Sequence, residues 1–360
     1  MKVSEKICRT TVISTACLMS AFALFCIYSR ADSLLHAGGL RSIATGLSMY
    51  GSSSSYASTK PTAAAPEKST SSKSTDTESS TIKKRPDISD HRGEQTYLVT
   101  ESLFRESNMS YDNFYVKNST DLSLDIGRYL RAPLPFEYEE MTEPQVLIVH
   151  THATESYMDY DLGYYYESFY PRDTDDNYNV VRVGKAICDS LQQNGIASVH
   201  CVTHHDDPQY YGAYDNSAES INEYLSKYPS IKVVLDIHRD SITTDDNEKI
   251  KPTFTYNNKK AAQIMIMCGN DNNGYYDFPD WEQNLSLALK LHKNAETLYP
   301  GMTRPLYFGN FMYNMNLAPG SLLIEVGTDA NTLEEAVNSG EMLGNVIAET
   351  LKNSASPQAD

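Results

Sequence analysis

Val146-Leu147-Ile148-Val149-His150-Thr151-His152-Ala153-Thr154-Glu155 is the stretch on which the fold turns. Four apolar residues in a row, with no polar alternation, read as a strand buried on both faces. Working outward, Asn179 to Gln193 has helical periodicity through Val180, Val183, Ile187 and Leu191, and Asn194-Gly195 stops it. Ile196 to Val202 is the next strand, Ala218 to Leu225 a helix, and Ile231 to Leu235 a second buried strand. Gln263 to Cys268 reads as a strand and Trp281 to Leu298 as a helix with Leu285, Leu289 and His292 on one side. Ser321 to Ile324 is a strand, followed by an amphipathic helix from Asn331 to Leu351. Strands alternating with helices predict an α/β fold, a single mixed or parallel sheet flanked by helices.

Three of these strands lead into residues able to hold a metal or move a proton. The first ends in His150-Thr151-His152-Ala153-Thr154-Glu155, the second in Asp236-Ile237-His238-Arg239-Asp240, the third in Glu325-Val326-Gly327. In open α/β sheets the active site lies at the carboxyl ends of the strands. Two imidazoles and a carboxylate with one open position form a catalytic zinc set. His152-x-x-Glu155 supplies two ligands from one loop, His238 a third, and Glu325 is left as a proton-shuttling base. His150 and His152 lie on the same face by strand alternation, so spacing alone does not choose between them; His152 is favoured because the His-x-x-Glu loop then places both ligands together. His204-His205-Asp206-Asp207 is a rival cluster, read as a solvated loop.

Composition narrows the partners. The 360 residues carry a formal charge of −17, with a pI near 4.9, which opposes binding to nucleic acid. Cys8, Cys17 and Cys26 lie near the N-terminus, and Cys188, Cys201 and Cys268 are scattered without a CxxC pair, so no disulfide framework is expected. Thr10 to Ser29 is uncharged and follows Lys2, Lys6 and Arg9. At about 1.5 Å per residue it spans roughly a bilayer core, which predicts a membrane anchor with a cytoplasmic N-terminus over residues 1–30. An uncleaved anchor is favoured over a removed signal peptide, for which Ser29-Arg30-Ala31 offers only a poor cleavage site. From Ser52 to Thr81, 17 of 30 residues are Ser or Thr, a composition without a core. Residues 31–95 therefore read as a flexible linker, and residues 96–355 as an extracytoplasmic catalytic domain.

Several motifs together resemble the stage II sporulation protein P family. They are Val116-Lys117-Asn118-Ser119-Thr120, the run from Pro144 to Tyr157, Arg172-Asp173-Thr174-Asp175, Asn179-Val180-Val181-Arg182-Val183-Gly184, and Asp236-Ile237-His238-Arg239-Asp240. The likeness covers residues 110–355. It implies a zinc N-acetylmuramoyl-L-alanine amidase fold that cuts the amide between the glycan lactyl group and L-alanine of peptidoglycan. It also implies work on septal wall during forespore engulfment, alongside sporulation proteins D and M, and a cross-link endopeptidase activity. The likeness carries the metal role to the His150–His152 segment, Glu155 and His238, and the catalytic carboxylate to Glu325. In broader amidase relatives the carboxylate ligand sits before the first long helix, which makes Asp175 or Asp176 a competitor to Glu155.

On this reading Glu325 takes a proton from water and returns it to the leaving amine, while Arg239 either helps the oxyanion or pairs with Asp236 or Asp240. The Tyr-rich segment from Tyr157 to Tyr178 offers aromatic faces for a glycan. Two other functions share these motifs. A zinc carboxypeptidase would use the same His-x-x-Glu, distant His and strand-end Glu, but needs an Arg for a free carboxylate. A wall-binding module of a membrane complex would need no chemistry.

Overall fold

The computed structural model describes residues 91–355. The expected membrane segment and Ser/Thr-rich linker lie outside these residues. No helix among the described residues is long and apolar enough to cross a membrane. The chain runs through β1 (Thr96–Ser102), β2 (Met109–Tyr111), β3 (Phe114–Asn118), α1 (Ile126–Arg131), β4 (Val146–Val149), β5 (Tyr164–Tyr166) and α2 (Val180–Gln193). It continues through β6 (Ser198–His200), α3 (Ala213–Lys227), β7 (Val233–Asp240), β8 (Lys249–Tyr256), β9 (Lys259–Ala262) and β10 (Ile264–Gly269). The last elements are α4 (Trp281–Leu298), β11 (Leu306–Gly309), β12 (Ser321–Thr328) and α5 (Leu333–Ala355).

The main sheet has eight strands in the order β2-β3-β11-β10-β12-β7-β4-β6. Strands β12, β7, β4 and β6 run parallel, while β10 opposes β12 and starts a second parallel block with β11 and β3. Side-chain alternation divides the central strands between two layers. Val146, Ile148, Val233, Leu235 and Ile237 join a large core with Ile187 of α2, Leu289 of α4 and Val346 of α5. Leu147, Val149 and Val234 join a smaller core with Ile221 of α3. Helices thus cover both faces, as the unbroken apolar runs require.

The expected single sheet needs correction, because a second sheet forms in the order β5-β1-β8-β9. Its strands carry Thr, Ser, Lys and Tyr rather than apolar runs, and β1 alternates between exposed and half-buried positions. Lys251 on β8 is fully buried, with Nζ 2.8 Å from Asp161 and 2.9 Å from Glu335 in the first turn of α5. Thr332 and Glu335 cap that helix reciprocally, each accepting the other's backbone N–H. Strands β7 and β12 also run further than their apolar runs suggest. The two pair with each other through Glu325 and His238, so both residues sit inside strands rather than beyond them, although β4 accompanies β7 only to Asp236.

Candidate metal centre

His152, Glu155 and His238 are all buried and place one potential ligand atom each within 4.8 Å of the others. The Glu155 carboxylate lies between the two rings, with Oε1 3.6 Å from His152 Nδ1 and Oε2 3.4 Å from His238 Nδ1. Ligands about 2.0–2.1 Å from a tetrahedral ion stand about 3.4 Å apart, so these separations match a shared cation better than hydrogen bonds. Glu155 is also fixed from behind, since the backbone N–H of Arg239 donates to Oε2 at 3.1 Å. Burial opposes charge on Glu155, but His152, His238 and Arg239 outweigh it and hold the carboxyl well below its usual range.

Glu325 pairs in register with His238 across β12 and β7, so both leave the sheet on the face covered by α3. Its Oε2 is buried without a hydrogen-bond partner, and so is His238 Nε2. The orphaned Glu325 oxygen, beside one carboxylate and two imidazoles, fits a cation held at this point, whereas His238 Nε2 faces Asp236 from the other edge of its ring. Burial and the Asp240 carboxylate push Glu325 up to about 8, with His238 acting the other way. Asp236 lies 3.0 Å from His238 Nε2, off the line of the N–H. Its two oxygens accept from the Thr151 backbone N–H at 2.8 Å and hydroxyl at 2.6 Å. This carboxylate ties the β4 turn to the ring of His238.

The structure separates the two histidines of the first motif. Strand β4 ends at Val149 and a turn follows, so alternation does not extend to His152, whose ring meets His238 at 5.1 Å between centroids. His150 instead points to the α2 face. Its Nδ1 donates to the Ile237 carbonyl at 2.9 Å, so Nε2 of the neutral ring must accept, and His200 Nε2 donates to it at 2.8 Å. Burial lowers His150 to about 3 and His200 to about 4, which keeps both rings neutral. Gly184 makes room, since a Cβ there would stand 2.5 Å from His150 Nε2. His150 is therefore engaged on the far side of the sheet, as a correction to its place among the expected ligands. Asp175 and Asp176 also stay away: Asp175 caps Asn177 and Asp176 meets His204 at 2.7 Å.

Arg239 has a different task from either expected. Its Nε donates to the Ser156 carbonyl and Nη2 to the Pro171 carbonyl, while Asp240 pairs with Arg304. It pins the loop after Glu155, with Nη1 4.0 Å from Glu155 Oε1. The His204–Asp207 cluster is not a solvated loop, because His205 and Asp206 are buried. Asp206 accepts from the Thr154 hydroxyl at 2.6 Å and from Arg172 Nη1 at 2.8 Å. Arg172 also lies over the Tyr210 ring, and Tyr210 stacks on His152 at 4.5 Å. Tyr214, in the first turn of α3, meets the same imidazole edge-on at 5.5 Å. Tyr210 precedes α3 and Tyr214 lies in its first turn, so no helical spacing linked the two in the sequence.

A family model for stage II sporulation protein P matches residues 41–348. The stage II sporulation protein P of Bacillus subtilis (strain 168) is 27% identical over 215 residues, covering 57% of this chain and 50% of that protein. The chain thus spans about half the length of the curated relative it matches. Among solved structures, an N-acetylmuramoyl-L-alanine amidase from Clostridium difficile 630 aligns with a TM-score of 0.36 at 16% identity, covering 61% of this chain and 100% of the other. The CwlD amidase of Clostridioides difficile, in complex with the GerS lipoprotein, aligns with a TM-score of 0.35 at 11% identity, covering 58% and 98%. Likeness at that level says nothing about this chain's chemistry. The match of the family model over residues 41–348 places the chain in the stage II sporulation protein P (SpoIIP) family.

Proposed function

We propose that this chain is a zinc-dependent N-acetylmuramoyl-L-alanine amidase that acts on septal peptidoglycan during sporulation and engulfment. The observation that carries the reading is the convergence of His152, Glu155 and His238 on one point, with Glu325 beside them on the same sheet face. A bound Zn²⁺ supplies Lewis-acid polarisation of the amide carbonyl and acidifies water. The protein's own residues do the rest. Tyr210 and Tyr214 hold the His152 ring, Asp236 braces His238, and Arg239 fastens the loop that delivers Glu155. Glu325, in register with His238 on the same sheet face, is the carboxylate placed to exchange a proton at this point. It takes the proton of the attacking water and returns it to the departing L-alanine nitrogen, so the amide is exchanged for a lactyl carboxylate and a free amine.

The carboxypeptidase alternative lacks support because the arginines that reach Glu155 are already engaged, Arg172 by Asp206 and Arg239 by two carbonyls. A membrane anchor over residues 10–29 would hold the enzyme at the outer face of the membrane, and sporulation proteins D and M are the partners that family membership suggests. Cross-link endopeptidase cleavage belongs to the same proposal. Digestion of purified peptidoglycan by the full chain tests it. The expected products are peptide-free lactyl glycan and peptides with a new N-terminal L-alanine. Release of single C-terminal amino acids would favour the carboxypeptidase, and no new ends at all the wall-binding module.

A further inference from the structure

We propose that the cleft walled by residues 156–178 is a saccharide subsite that receives the N-acetylated glycan strand beside the scissile amide. The inference rests on the amidase reading above and deepens it by assigning where the sugar sits. Two cavities carry the argument. One of about 570 Å³ is lined by Tyr164, Tyr165, Tyr170 and Tyr178, among others. The second, of about 740 Å³, is lined by Thr154 and Tyr210, which border the metal centre. Both volumes fall in the range of ligand pockets, roughly 300–1,000 Å³. Tyr170, Arg172 and Asp173 line both cavities, so the two form one cleft running from the tyrosine wall to Tyr210 on the His152 ring.

The wall is built to hold its position relative to the chemistry. Its loop is closed by backbone bridges between Glu155 and Arg172 and between Ser156 and Asn179. Arg239 fastens the same two ends through the Ser156 and Pro171 carbonyls. From behind, β5 pairs with β1 of the second sheet through Tyr164 to Tyr166. The loop is therefore anchored at the residue next to Glu155, and a ligand lying along it has a fixed distance to the centre.

The chemistry of the wall selects the ligand class. Tyrosine offers a flat apolar face and a hydroxyl at its rim, which suits a pyranose ring with C–H faces and polar edges. Tyr170, at the junction of the two cavities, is 73% exposed. The cleft sets Arg172, already paired with Asp206, among Asp159, Asp173 and Asp207, and this acidic lining on a chain of net charge −17 disfavours polyanions. A neutral N-acetylated hexosamine chain meets all of these conditions.

Chitotetraose, a linear tetramer of N-acetylglucosamine without lactyl or peptide groups, is the probe, because an amidase cannot cut it. Titrated against the full chain, it should bind in the millimolar range or tighter. Tyr170→Ala should weaken binding by about tenfold while the melting temperature stays at the wild-type value, and Tyr170→Trp should restore it. Tyr275→Ala removes a comparably exposed ring, 64% exposed, that lines neither cavity, and should leave binding unchanged. Absence of millimolar binding by the wild type, or equal binding by Tyr170→Ala and wild type, overturns the subsite. If the wall amide is cut but chitotetraose does not bind, the subsite alone falls. If Tyr170→Ala selectively loses chitotetraose while no wall amide is cut, the amidase reading falls and the saccharide site stands.

Discussion

Gly184→Ala adds one methyl group to α2, and the direction of its effect depends on what His150 does. In an ordinary helix interior the change stabilises by about 1 kcal/mol, because alanine has the better propensity. Here the new Cβ would lie 2.5 Å from His150 Nε2, 2.6 Å from His200 Nε2 and 2.8 Å from His150 Cε1. Carbon contacts settle near 3.5–4.0 Å, so the rings must retreat by about 1 Å. His150 is fully buried and tied at both nitrogens, and it can move only by stretching its bonds to Ile237 and His200. Overpacking costs about 1–3 kcal/mol and each impaired hydrogen bond about 1 kcal/mol. The net expectation is a loss of about 2–3 kcal/mol, or roughly 4–12 °C in Tm for a domain of this size. In a His150→Ala background only His200 remains in the way, released from its partner and free to swing into the vacated space, so the same substitution should cost about 1 kcal/mol or less. Urea unfolding of the four proteins in this cycle measures the coupling. Equal losses in both backgrounds, or no loss in the first, would refute the assignment of His150 to a scaffold role between Gly184, His200 and Ile237.

Glu325→Gln should retain the fold and the metal but lose about 10²–10⁴-fold in wall hydrolysis, since the amide cannot accept the proton; a parallel fall in bound metal would make Glu325 a ligand instead. Asp236→Asn should weaken metal affinity by about 10–100-fold, measured by chelator competition, because the brace on His238 loses its charge, and should cost about 1 kcal/mol in stability because Asn keeps one of the two oxygens that accept from Thr151. Lys251→Met removes a buried cation from among Glu101, Asp161 and Glu335 and should cost about 3 kcal/mol. Burial opposes charge on Glu101 and Asp161, but Lys260 and Lys251 outweigh it and hold both carboxyls below their usual range. The wild type should therefore have this stabilisation above the ordinary carboxylate range and lose it as pH falls through the lowered values, whereas Lys251→Met should show a flatter acid limb.

Elements with a continuous apolar signature were legible in the sequence. Val146–Val149 is a strand and Trp281–Leu298 a helix with the expected bounds, and α2 starts one residue after the expected Asn179, which is its N-cap. The second sheet was not legible, because β1 mixes polar residues at exposed and half-buried positions, and β8 buries Lys249 and Lys251, whose charges hide a buried strand. The juxtaposition of His152, Glu155 and His238 followed from the short His-x-x-Glu spacing and a neighbouring strand. The direction of His150 did not, since one residue of turn after Val149 decides which side of the sheet each histidine takes. Asp206 was hidden for a related reason: its burial depends on Arg172 and Thr154, which reach it from a separate loop.

The claim that His152, Glu155 and His238 hold one metal ion is tested most directly by measuring bound zinc per chain in the wild type and in three variants. His152→Ala and His238→Ala each remove one of three protein ligands and should lose most of the metal. His150→Gln can still donate to the Ile237 carbonyl and should keep wild-type stoichiometry. Zinc retained in full by His238→Ala, or lost from His150→Gln while His152→Ala keeps it, would contradict the assignment.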